Sequence, residues 1–277
     1  MKICILGSTG VLGVALRKAL LSKGVDFFVL SHEEVDIENF EELKSILEQE
    51  KPTHIINTVA IVGIEPCDEK PLEAFSINTL PSYLISNFCL QRDMTYVYIS
   101  THAVFDGTKE DYYYETDKPR PMNIYAGTKL LAEQFVESIC DKFYIVRVPT
   151  MFGNRENNKK GFTDKVLEWL RSEKDVKVAT DKIDTLSFSD DIAEQIVQMI
   201  LMKYEYGTYH IANEGSCSFY EFVSEVAAIL GIKKDIIKAL DKDFPSKYYK
   251  PLRTPIASVR APKLRGWKEA LRNFLRE

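Results

Sequence analysis

Three glycines within seven residues near the N-terminus constrain this chain more than any other feature. Gly7, Gly10 and Gly13 follow the apolar run ICIL (3–6), which is typical of a strand, and precede a helical pattern over 11–23. A pyrophosphate-binding loop has this pattern of three glycines. The first permits a tight turn, the second lets the backbone approach a ligand closely, and the third lets helix and strand pack together. The pyrophosphate would lie on the free N–H groups at the start of the helix. The GxxGxxG spacing differs from the commoner GxGxxG, and a turn without a ligand is the alternative interpretation.

The alternation of strand and helix continues through the first 150 residues. Further strands are predicted at 25–30, 54–57, 95–100 and 143–148, and further helices at 38–50, about 69–91 and about 124–139. Strands that alternate with helices are joined by right-handed crossovers and form a mostly parallel sheet covered on both faces. We therefore predict an α/β fold with a doubly wound parallel sheet of the Rossmann type.

Beyond residue 150 the alternation weakens, and polar stretches such as NRENNKKG (154–161) predict loops. Helices are expected near 162–172, 189–203, 218–230 and 266–275. We predict a dinucleotide-binding domain over residues 1–150, to which a segment at about 180–205 returns, and a smaller, mainly substrate-binding portion over 151–277. No flexible linker separates the two, so they should pack tightly, and the cleft between them is the expected ligand site.

Composition excludes several classes of protein. Apolar residues make up 45% and charged residues 28% of the 277, which is enough to bury a sizeable core. A net charge of −5 argues against a nucleic-acid partner. No apolar run approaches the roughly 20 residues that span a bilayer, so no membrane partner is expected. The five cysteines are widely spaced without a CxxC pair, which predicts neither disulfides nor a metal site and favours the cytoplasm.

Tyr125 and Lys129 lie four residues apart on the helix predicted over 124–139, so both side chains project from one face. A phenol has an ordinary pKa of about 10, and a nearby ammonium lowers that pKa toward the range of a general acid. Thr101, which follows the strand at 95–100, supplies a hydroxyl for the same carbonyl oxygen. Tyr-xxx-Lys arises often by chance, but with the glycine loop and Thr101 it predicts a catalytic site.

Several separately spaced motifs resemble the extended short-chain dehydrogenases/reductases and, within them, the dTDP-4-dehydrorhamnose reductase family. The matching stretches are GSTGVLG (7–13), VDI (35–37), INTVAIVGIEPCDEKPLEAFSINT (56–79), YISTHAVFDGT (98–108), ETDKPRPMNIYAGTKLLAE (115–133), RVPTMFG (147–153), GTYHIANEGSCSFYEF (207–222) and, more weakly, RTPIASVRAPKL (253–264). The resemblance implies an NAD(P)H-dependent reductase of a nucleotide-linked 4-keto-6-deoxy sugar, in nucleotide-sugar or polysaccharide biosynthesis. Tyr125 would protonate the ketone oxygen and Thr101 would hydrogen-bond it. Lys129 would hold the nicotinamide ribose and lower the pKa of Tyr125.

The same resemblance implies that a nicotinamide dinucleotide lies along the glycine loop. Its expected contacts are Gly7, Thr9, Gly10, Val11, Leu12, Gly13, Ser31, His32, Asp36, Ile37, Val59 and Ala60. A helix-flanking carboxylate is the alternative for Asp36, and ordinary core packing for Val59 and Ala60. The second strand ends at Ser31 and His32, where an NAD-binding chain usually carries an acidic residue. Because a missing carboxylate removes the repulsion of a 2′-phosphate, we favour NADP(H) over NAD(H), although no arginine stands there.

The chain departs from the family's usual residues beside the catalytic hydroxyl. His102 and Ala103 stand where Asp-Tyr is usual, and Thr150 replaces a tryptophan that packs on the sugar. These three are predicted substrate contacts, and Arg253 is a fourth, toward the diphosphate. A structural imidazole is the alternative for His102, and a surface guanidinium for Arg253. Bifunctional epimerase-reductases carry a cysteine where this chain has Ala103, so 3,5-epimerisation is not expected, and rhamnose itself is not predicted.

Two other functions are considered. A branch that resembles this family is a cofactor-binding regulatory subunit, the β subunit of methionine adenosyltransferase, but the complete set of Thr101, Tyr125 and Lys129 favours an enzyme. A dehydratase or isomerase would need an extra carboxylate beside the catalytic hydroxyl, which His102 and Ala103 do not supply. The expected partner is a nucleotide sugar, no metal is expected, and a homodimer is left open.

Overall fold

The structure of the protein is a computed structural model that describes residues 1–156, 161–172 and 175–276. The elements of its first half are β1 (Lys2–Leu6), α1 (Val11–Ser22), β2 (Asp26–Leu30), α2 (Phe40–Glu50), β3 (His54–Asn57), α3 (Ile64–Glu69), α4 (Pro71–Asn78), α5 (Leu80–Gln91), β4 (Thr95–Thr101), α6 (Ile124–Ile139) and β5 (Phe143–Val148). Those of its second half are β6 (Met151–Phe152), α7 (Phe162–Arg171), β7 (Val176–Ala179), β8 (Ile183–Asp184), β9 (Ser187–Phe188), α8 (Ser189–Leu201), β10 (Gly207–His210), β11 (Cys217–Ser218), α9 (Phe219–Ile229), β12 (Ile236–Ala239) and α10 (Trp267–Phe274). Short 3₁₀ turns lie at His102–Val104 and Asp241–Asp243.

Six parallel strands form the central sheet, in the order β10-β5-β4-β3-β1-β2. The chain starts at β1, pairs outward with β2, and then crosses to β3 and continues in the opposite direction. The strand order therefore reverses beside β1, and a sheet of this kind has its ligand crevice outside the carboxyl ends of the strands at such a reversal. The predicted α/β fold with a Rossmann-type parallel sheet is confirmed.

Helices cover both faces of the sheet, and β1 is apolar on both sides for that reason. Ile3 and Ile5 lie in one buried cluster with residues of α1 and α8, whereas Cys4 and Leu6 lie in a second cluster with residues of α2, α5 and α6. Successive strand residues face opposite sides, so one short strand contributes to both clusters. Because α8 and β10 join this packing, segments beyond residue 150 return to the sheet; the domain boundary itself stays a prediction.

The single helix predicted over about 69–91 is wrong, since the chain forms three shorter helices, α3, α4 and α5, between residues 64 and 91. Pro71 and Pro81 lie in the first turns of α4 and α5. A proline is tolerated there because its missing N–H would have no partner in the helix, but it disfavours helical backbone at the preceding residue. The apolar periodicity of the segment concealed these two starts.

The other elements of the second half pack around a separate apolar cluster that includes Phe152, Phe188, Phe222 and Trp267. The helices predicted near 162–172, 189–203, 218–230 and 266–275 correspond to α7, α8, α9 and α10. Several strands of this part have only two residues, too few to show a period in the sequence. Residues 157–160 of the loop predicted over 154–161 lie outside the described residues. In the described part of the chain no helix is long and apolar enough to cross a membrane.

Candidate active site

The fold itself requires two of the three loop glycines. Gly7 has a φ of +82°, and its N–H donates to the Leu30 carbonyl at 2.9 Å. A Cβ on Gly13 would lie 2.3 Å from the Gly7 carbonyl oxygen, so only glycine lets α1 pack so closely against the loop. Gly10 differs, because its φ is −73° and, among the described residues, a Cβ there would meet only the Gly7 oxygen, at 3.5 Å.

The start of α1 is suited to a pyrophosphate. Gly10 is the N-cap residue, no side chain in the described part of the chain caps the helix, and its first turn holds no acidic residue. Backbone N–H groups at such a helix start attract an anion. The described residues do not require glycine at position 10, so its small size leaves room for a ligand beside the helix start, and the residues present fit a dinucleotide cofactor.

We expect Gly10→Ser to separate folding from cofactor binding. Serine is a favoured N-cap residue, so the stability of the variant should match or exceed that of the wild type. Its hydroxymethyl group would fill the space beside the helix start, and the Kd for NADPH should rise by at least about tenfold, or 1.4 kcal/mol. Calorimetric titration and thermal unfolding check the two effects; Gly13→Ala is the control that should destabilise the fold. Unchanged NADPH binding by Gly10→Ser would contradict this assignment.

The residues predicted around the glycine loop differ in what they contact. Leu12 is buried in the core, so its side chain serves packing and only its backbone can serve a ligand. Thr9 lies in the loop, where its carbonyl accepts the N–H of Glu156 at 3.1 Å. The side chain of Val11 faces Gly153, since a Cβ on that glycine would lie 3.3 Å from Val11 Cγ1. The loop therefore contacts the chain that follows β6.

Of the remaining predicted cofactor contacts, Val59 lies against the loop. Val59 and Ala60 follow β3, and a Cβ on Gly7 would lie 3.1 Å from Val59 Cγ2. Asp36 is exposed, and its carboxylate accepts the backbone N–H of Glu38 at 3.0 Å, as the helix-flanking alternative requires. Ile37 is half-buried against the core. The structure thus brings Val59 to the loop, while Ala60 follows it in the chain and Asp36 binds the turn before α2.

A carboxylate lies at the end of β2, contrary to the sequence-based expectation. Glu34 turns back so that its carboxylate accepts the backbone N–H of Ser31. That bond and a second one from the Ser31 side chain lower the pKa of Glu34, and the charge of Arg17 on α1 lowers it further. His32 is exposed beside them. The sequence did not indicate this, because Glu34 comes from the turn beyond the strand and Arg17 from another element.

Thr101 and Tyr125 are brought together at the carboxyl end of the sheet. Thr101 is the last residue of β4, and its hydroxyl accepts the Ala103 N–H at 3.1 Å, which fixes the turn that follows. Tyr125 lies in the first turn of α6, whose N-cap Asn123 accepts the Ala126 N–H at 3.0 Å. Burial raises the pKa of Tyr125 to about 12, against the opposing effect of a hydrogen bond with Thr101. The phenol is therefore protonated at neutral pH.

Lys129 lies one turn further along α6 and is fully buried. Its Nζ donates to the Ile99 carbonyl at 2.7 Å and lies 4.1 Å from the centre of the Tyr98 ring. Burial lowers the pKa of Lys129 to about 7, although the charge of Glu133 raises it. Lys129 is not among the groups that shift the pKa of Tyr125. The spacing predicted that Lys129 lowers the pKa of Tyr125. In the structure, burial raises that pKa instead.

A buried ion pair supports the helix that carries these residues. The carboxylate of Glu133 on α6 binds Arg147 of β5, with distances of 2.7 Å from Nη2 and 3.0 Å from Nε, and it also accepts from the Ser100 hydroxyl. Arg147 Nη1 lies 3.4 Å from His210 Nε2, so His210 belongs to this network. The pair ties α6 to β4 and β5. No sequence pattern had indicated it.

Two of the predicted substrate contacts bind one buried carboxylate. His102 Nδ1 lies 2.8 Å from Asp184 Oδ1, and the Thr150 hydroxyl donates to Asp184 Oδ2 at 2.5 Å. Burial raises the pKa of Asp184, but the His102 charge and the hydrogen bonds from His102, Thr150 and the Thr185 N–H lower it overall. The Thr150 hydroxyl is thus occupied by Asp184. Asp184 was missed in the sequence because only the tertiary fold brings β8 to the end of β4.

One guanidinium nitrogen of Arg253 is bound within the protein, and another has no partner in the described part of the chain. Its Nη2 donates to the Glu110 carbonyl at 2.8 Å, which fixes the plane of the guanidinium. Its Nε is buried and has no hydrogen-bond partner among the described residues. The backbone of Arg253 pairs with Ile183, next to Asp184. A buried cationic N–H without a partner is costly, and a bound anion would satisfy it.

Comparisons with known proteins agree over the whole chain. Residues 1–277 match the family described as RmlD substrate binding domain. The spore coat polysaccharide biosynthesis protein SpsK of Bacillus subtilis is 26% identical, covering 100% of this chain and 97% of that protein. A dTDP-4-dehydrorhamnose reductase of Aggregatibacter actinomycetemcomitans is 27% identical, covering 99% and 98%.

Solved structures agree as well. The crystal structure of a dTDP-4-dehydrorhamnose reductase from Clostridium acetobutylicum superimposes with a TM-score of 0.94 at 28% identity, covering 100% of this chain and 99% of that one. A dTDP-4-dehydrorhamnose reductase from Bacillus anthracis in complex with NADP gives a TM-score of 0.93 at 25% identity, covering 99% and 98%. The likeness thus extends over both the sheet and the smaller portion.

Proposed function

Since this chain belongs to the RmlD substrate binding domain family, we propose that it is an NAD(P)H-dependent reductase of a nucleotide-linked 4-keto-6-deoxy sugar that serves polysaccharide biosynthesis. The resemblance to dTDP-4-dehydrorhamnose reductases noted in the sequence is confirmed. One observation carries the reaction: the hydroxyls of Thr101 and Tyr125 meet at the carboxyl end of the sheet. Two donors at one point suit a carbonyl oxygen on which negative charge develops.

The reaction requires a proton for the ketone oxygen and a hydride for its carbon. The bound nicotinamide cofactor supplies the hydride. Tyr125 donates its phenolic proton to the oxygen, and its raised pKa keeps that proton available at neutral pH. Thr101 orients the oxygen through a second hydrogen bond. Lys129, one helical turn after Tyr125, would hold the ribose hydroxyls of the cofactor.

The cofactor is a nicotinamide dinucleotide, and we propose that NADPH is preferred to NADH. Ser31 and the exposed His32 can donate to a 2′-phosphate, and the charge of Arg17 reaches the same end of β2. The Glu34 carboxylate opposes this preference, because it occupies the Ser31 N–H and would repel the phosphate. For NADPH to bind, Glu34 must give up that bond.

We expect Glu34→Gln to strengthen the preference for NADPH. Removing one negative charge beside the 2′-phosphate should lower the KM for NADPH by about five- to tenfold, since partly exposed charges a few ångströms apart interact by about 1 kcal/mol. The KM for NADH should change by less than about twofold, as its ribose carries no phosphate. Steady-state kinetics with both cofactors measures the ratio. A wild type that prefers NADH, or a variant whose ratio does not move, would contradict the proposal.

The substrate's diphosphate is proposed to bind Arg253. The buried Nε of Arg253 has no partner among the described residues, and its Nη2 is held by the Glu110 carbonyl. An anion beside it would satisfy a donor that the chain leaves unpaired. We propose that the enzyme acts in the cytoplasm, where its five unpaired cysteines stay reduced. Formation of a homodimer stays a prediction.

Oxidation of NADPH in the presence of a panel of nucleotide 4-keto-6-deoxy sugars tests the proposed function. We expect turnover with at least one of them. Comparing kcat/KM for the same sugar linked to different nucleotides would identify the nucleotide that the enzyme prefers. Tight NADPH binding without turnover of any sugar would contradict the proposal and favour the regulatory alternative. Turnover is followed by the absorbance of the reduced nicotinamide, so one assay serves every sugar of the panel whatever its product.

A further inference from the structure

The residue after Thr101 in the chain carries a third polar group, the imidazole of His102, which a buried carboxylate anchors. His102 follows Thr101 directly in the chain, and its Nδ1 lies 2.8 Å from Asp184 Oδ1. We propose that Asp184 is a positioning residue that holds His102 so that Nε2 recognises the 3-hydroxyl of the sugar. This rests on the proposed function, since the hydroxyl is defined by the ketone that the enzyme reduces.

Asp184 is fixed by its own hydrogen bonds. It is 2% exposed, and besides His102 it accepts from the Thr150 hydroxyl at 2.5 Å and from the Thr185 N–H at 2.8 Å. A buried carboxylate is stable only when its lone pairs are satisfied in this way. These bonds lower the pKa of Asp184, so the carboxylate is ionised and acts only as an acceptor. When the imidazole is neutral, its hydrogen therefore lies on Nδ1, which faces Asp184, and Nε2 keeps a lone pair.

The other ring nitrogen is available to a ligand. Nε2 of His102 has no hydrogen-bond partner among the described residues, and it is not one of their buried unsatisfied atoms. The side chain keeps 15% of its surface exposed while Asp184 is closed off beneath it. The imidazole thus has one nitrogen bound inside the protein and the other reached from outside, the arrangement by which a carboxylate orients a histidine toward a substrate.

The chemistry of the substrate identifies the group that His102 meets. His102 follows Thr101 directly in the chain, so with the C4 oxygen on Thr101 and Tyr125 we place its imidazole beside a carbon next to the ketone. In a 4-keto-6-deoxy sugar one such carbon, C5, carries a methyl group and the ring oxygen, and the other, C3, carries a hydroxyl. The 3-hydroxyl is therefore the only hydroxyl next to the ketone, and it donates to the Nε2 lone pair. A site built this way rejects a sugar that lacks this hydroxyl, because Nε2 would be desolvated without a partner.

The test compares His102→Asn with the wild type on two substrates: a nucleotide 4-keto-6-deoxy sugar that the enzyme turns over, and its 3-deoxy analogue. The asparagine amide can still donate to Asp184 in place of Nδ1, but it has nothing in place of Nε2. We expect the wild type to lose about 30-fold in kcat/KM on the analogue, as expected when one partly buried acceptor loses its hydrogen-bond partner. His102→Asn should lose a similar factor on the parent sugar and show almost no discrimination between the two.

Asp184→Asn distinguishes positioning from a merely structural role. As a single substitution, it should reduce the ratio of kcat/KM on the parent sugar to kcat/KM on the 3-deoxy analogue. Added to His102→Asn, it should leave that ratio unchanged, because Asp184 acts through His102. The proposal would be overturned if His102→Asn or Asp184→Asn lowered kcat/KM equally on both sugars and so kept the wild-type ratio. It would also be overturned if the wild type used the two sugars equally well. Each ratio is measured within one variant, so partial unfolding cancels. Absence of any wild-type turnover would instead refute the proposed function.

Discussion

Replacing Tyr125 with phenylalanine is expected to lower kcat by about 10³-fold, within the range by which a positioned general acid accelerates a reaction. The substitution removes only the hydroxyl, which hydrogen-bonds with Thr101 and is the proposed proton donor. The Kd for NADPH should change by less than about twofold, because the ring remains and the cofactor loop is not altered. Stopped-flow measurement of NADPH oxidation gives kcat, and fluorescence titration of NADPH gives the Kd.

Tyr83→Phe is the matched control for this experiment. Tyr83 is 39% exposed on α5, and its ring packs edge-on against Phe135, away from the catalytic hydroxyls. Its loss of a hydroxyl should leave kcat within about twofold of the wild type, as is usual for surface substitutions. If Tyr125→Phe retained more than a tenth of the wild-type kcat, the phenol would not be the proton donor, and the mechanism would be wrong.

Lys129→Met is expected to abolish most activity while making the protein more stable. Burial lowers the pKa of Lys129 from 10.5 to about 7, so the folded state disfavours its ammonium. Methionine has a similar length without the charge, and we expect the free energy of unfolding to rise by about 2 kcal/mol near neutral pH, as when buried charges are replaced by apolar groups. Loss of the group that we propose holds the cofactor ribose should lower kcat/KM by about 10²-fold or more.

The pH dependence of that stabilisation follows from the direction of the shift. Below pH 7 the lysine is protonated in both states, so the cost of burying its charge is fully present. Between pH 7 and 10.5 only the unfolded chain keeps the proton, and the stability of the wild type therefore rises with pH. The advantage of Lys129→Met should be largest below pH 7 and shrink toward pH 10. Urea unfolding at several pH values measures it, and a variant less stable than the wild type at pH 6 would contradict the account.

Local features of this site could be predicted from the sequence, because each depends on residues close together in the chain. The turn at Gly7 and the close packing at Gly13 are needed by neighbouring backbone, and Tyr125 and Lys129 share a helix face through their spacing alone. The helix predicted over about 124–139 matches α6 for the same reason: Asn123 caps its start, and its apolar residues repeat at helical intervals.

Features that depend on distant segments could not be predicted. Asp184 reaches His102 only because β8 packs at the end of β4, and Arg17 reaches Glu34 only because α1 lies beside the turn after β2. The prediction that Lys129 lowers the pKa of Tyr125 was wrong for a related reason. Spacing in the sequence shows that the two side chains share a helix face, but it does not show how deeply each is buried, and burial dominates both pKa values. The structure altered the interpretation of the predicted substrate contacts most, because the Thr150 hydroxyl binds Asp184.

The central claim is that a hydride passes from the reduced cofactor to C4 of a nucleotide-linked sugar as Tyr125 protonates the oxygen. It is tested most directly with NADPH deuterated at C4 of the nicotinamide, on each face in turn, by mass spectrometry and NMR of the sugar product. We predict that deuterium from one face alone appears at C4 of the product, and that Tyr125→Phe slows its transfer by about 10³-fold. Deuterium at another carbon, or cofactor that binds but transfers none to any sugar of the panel, would contradict the account.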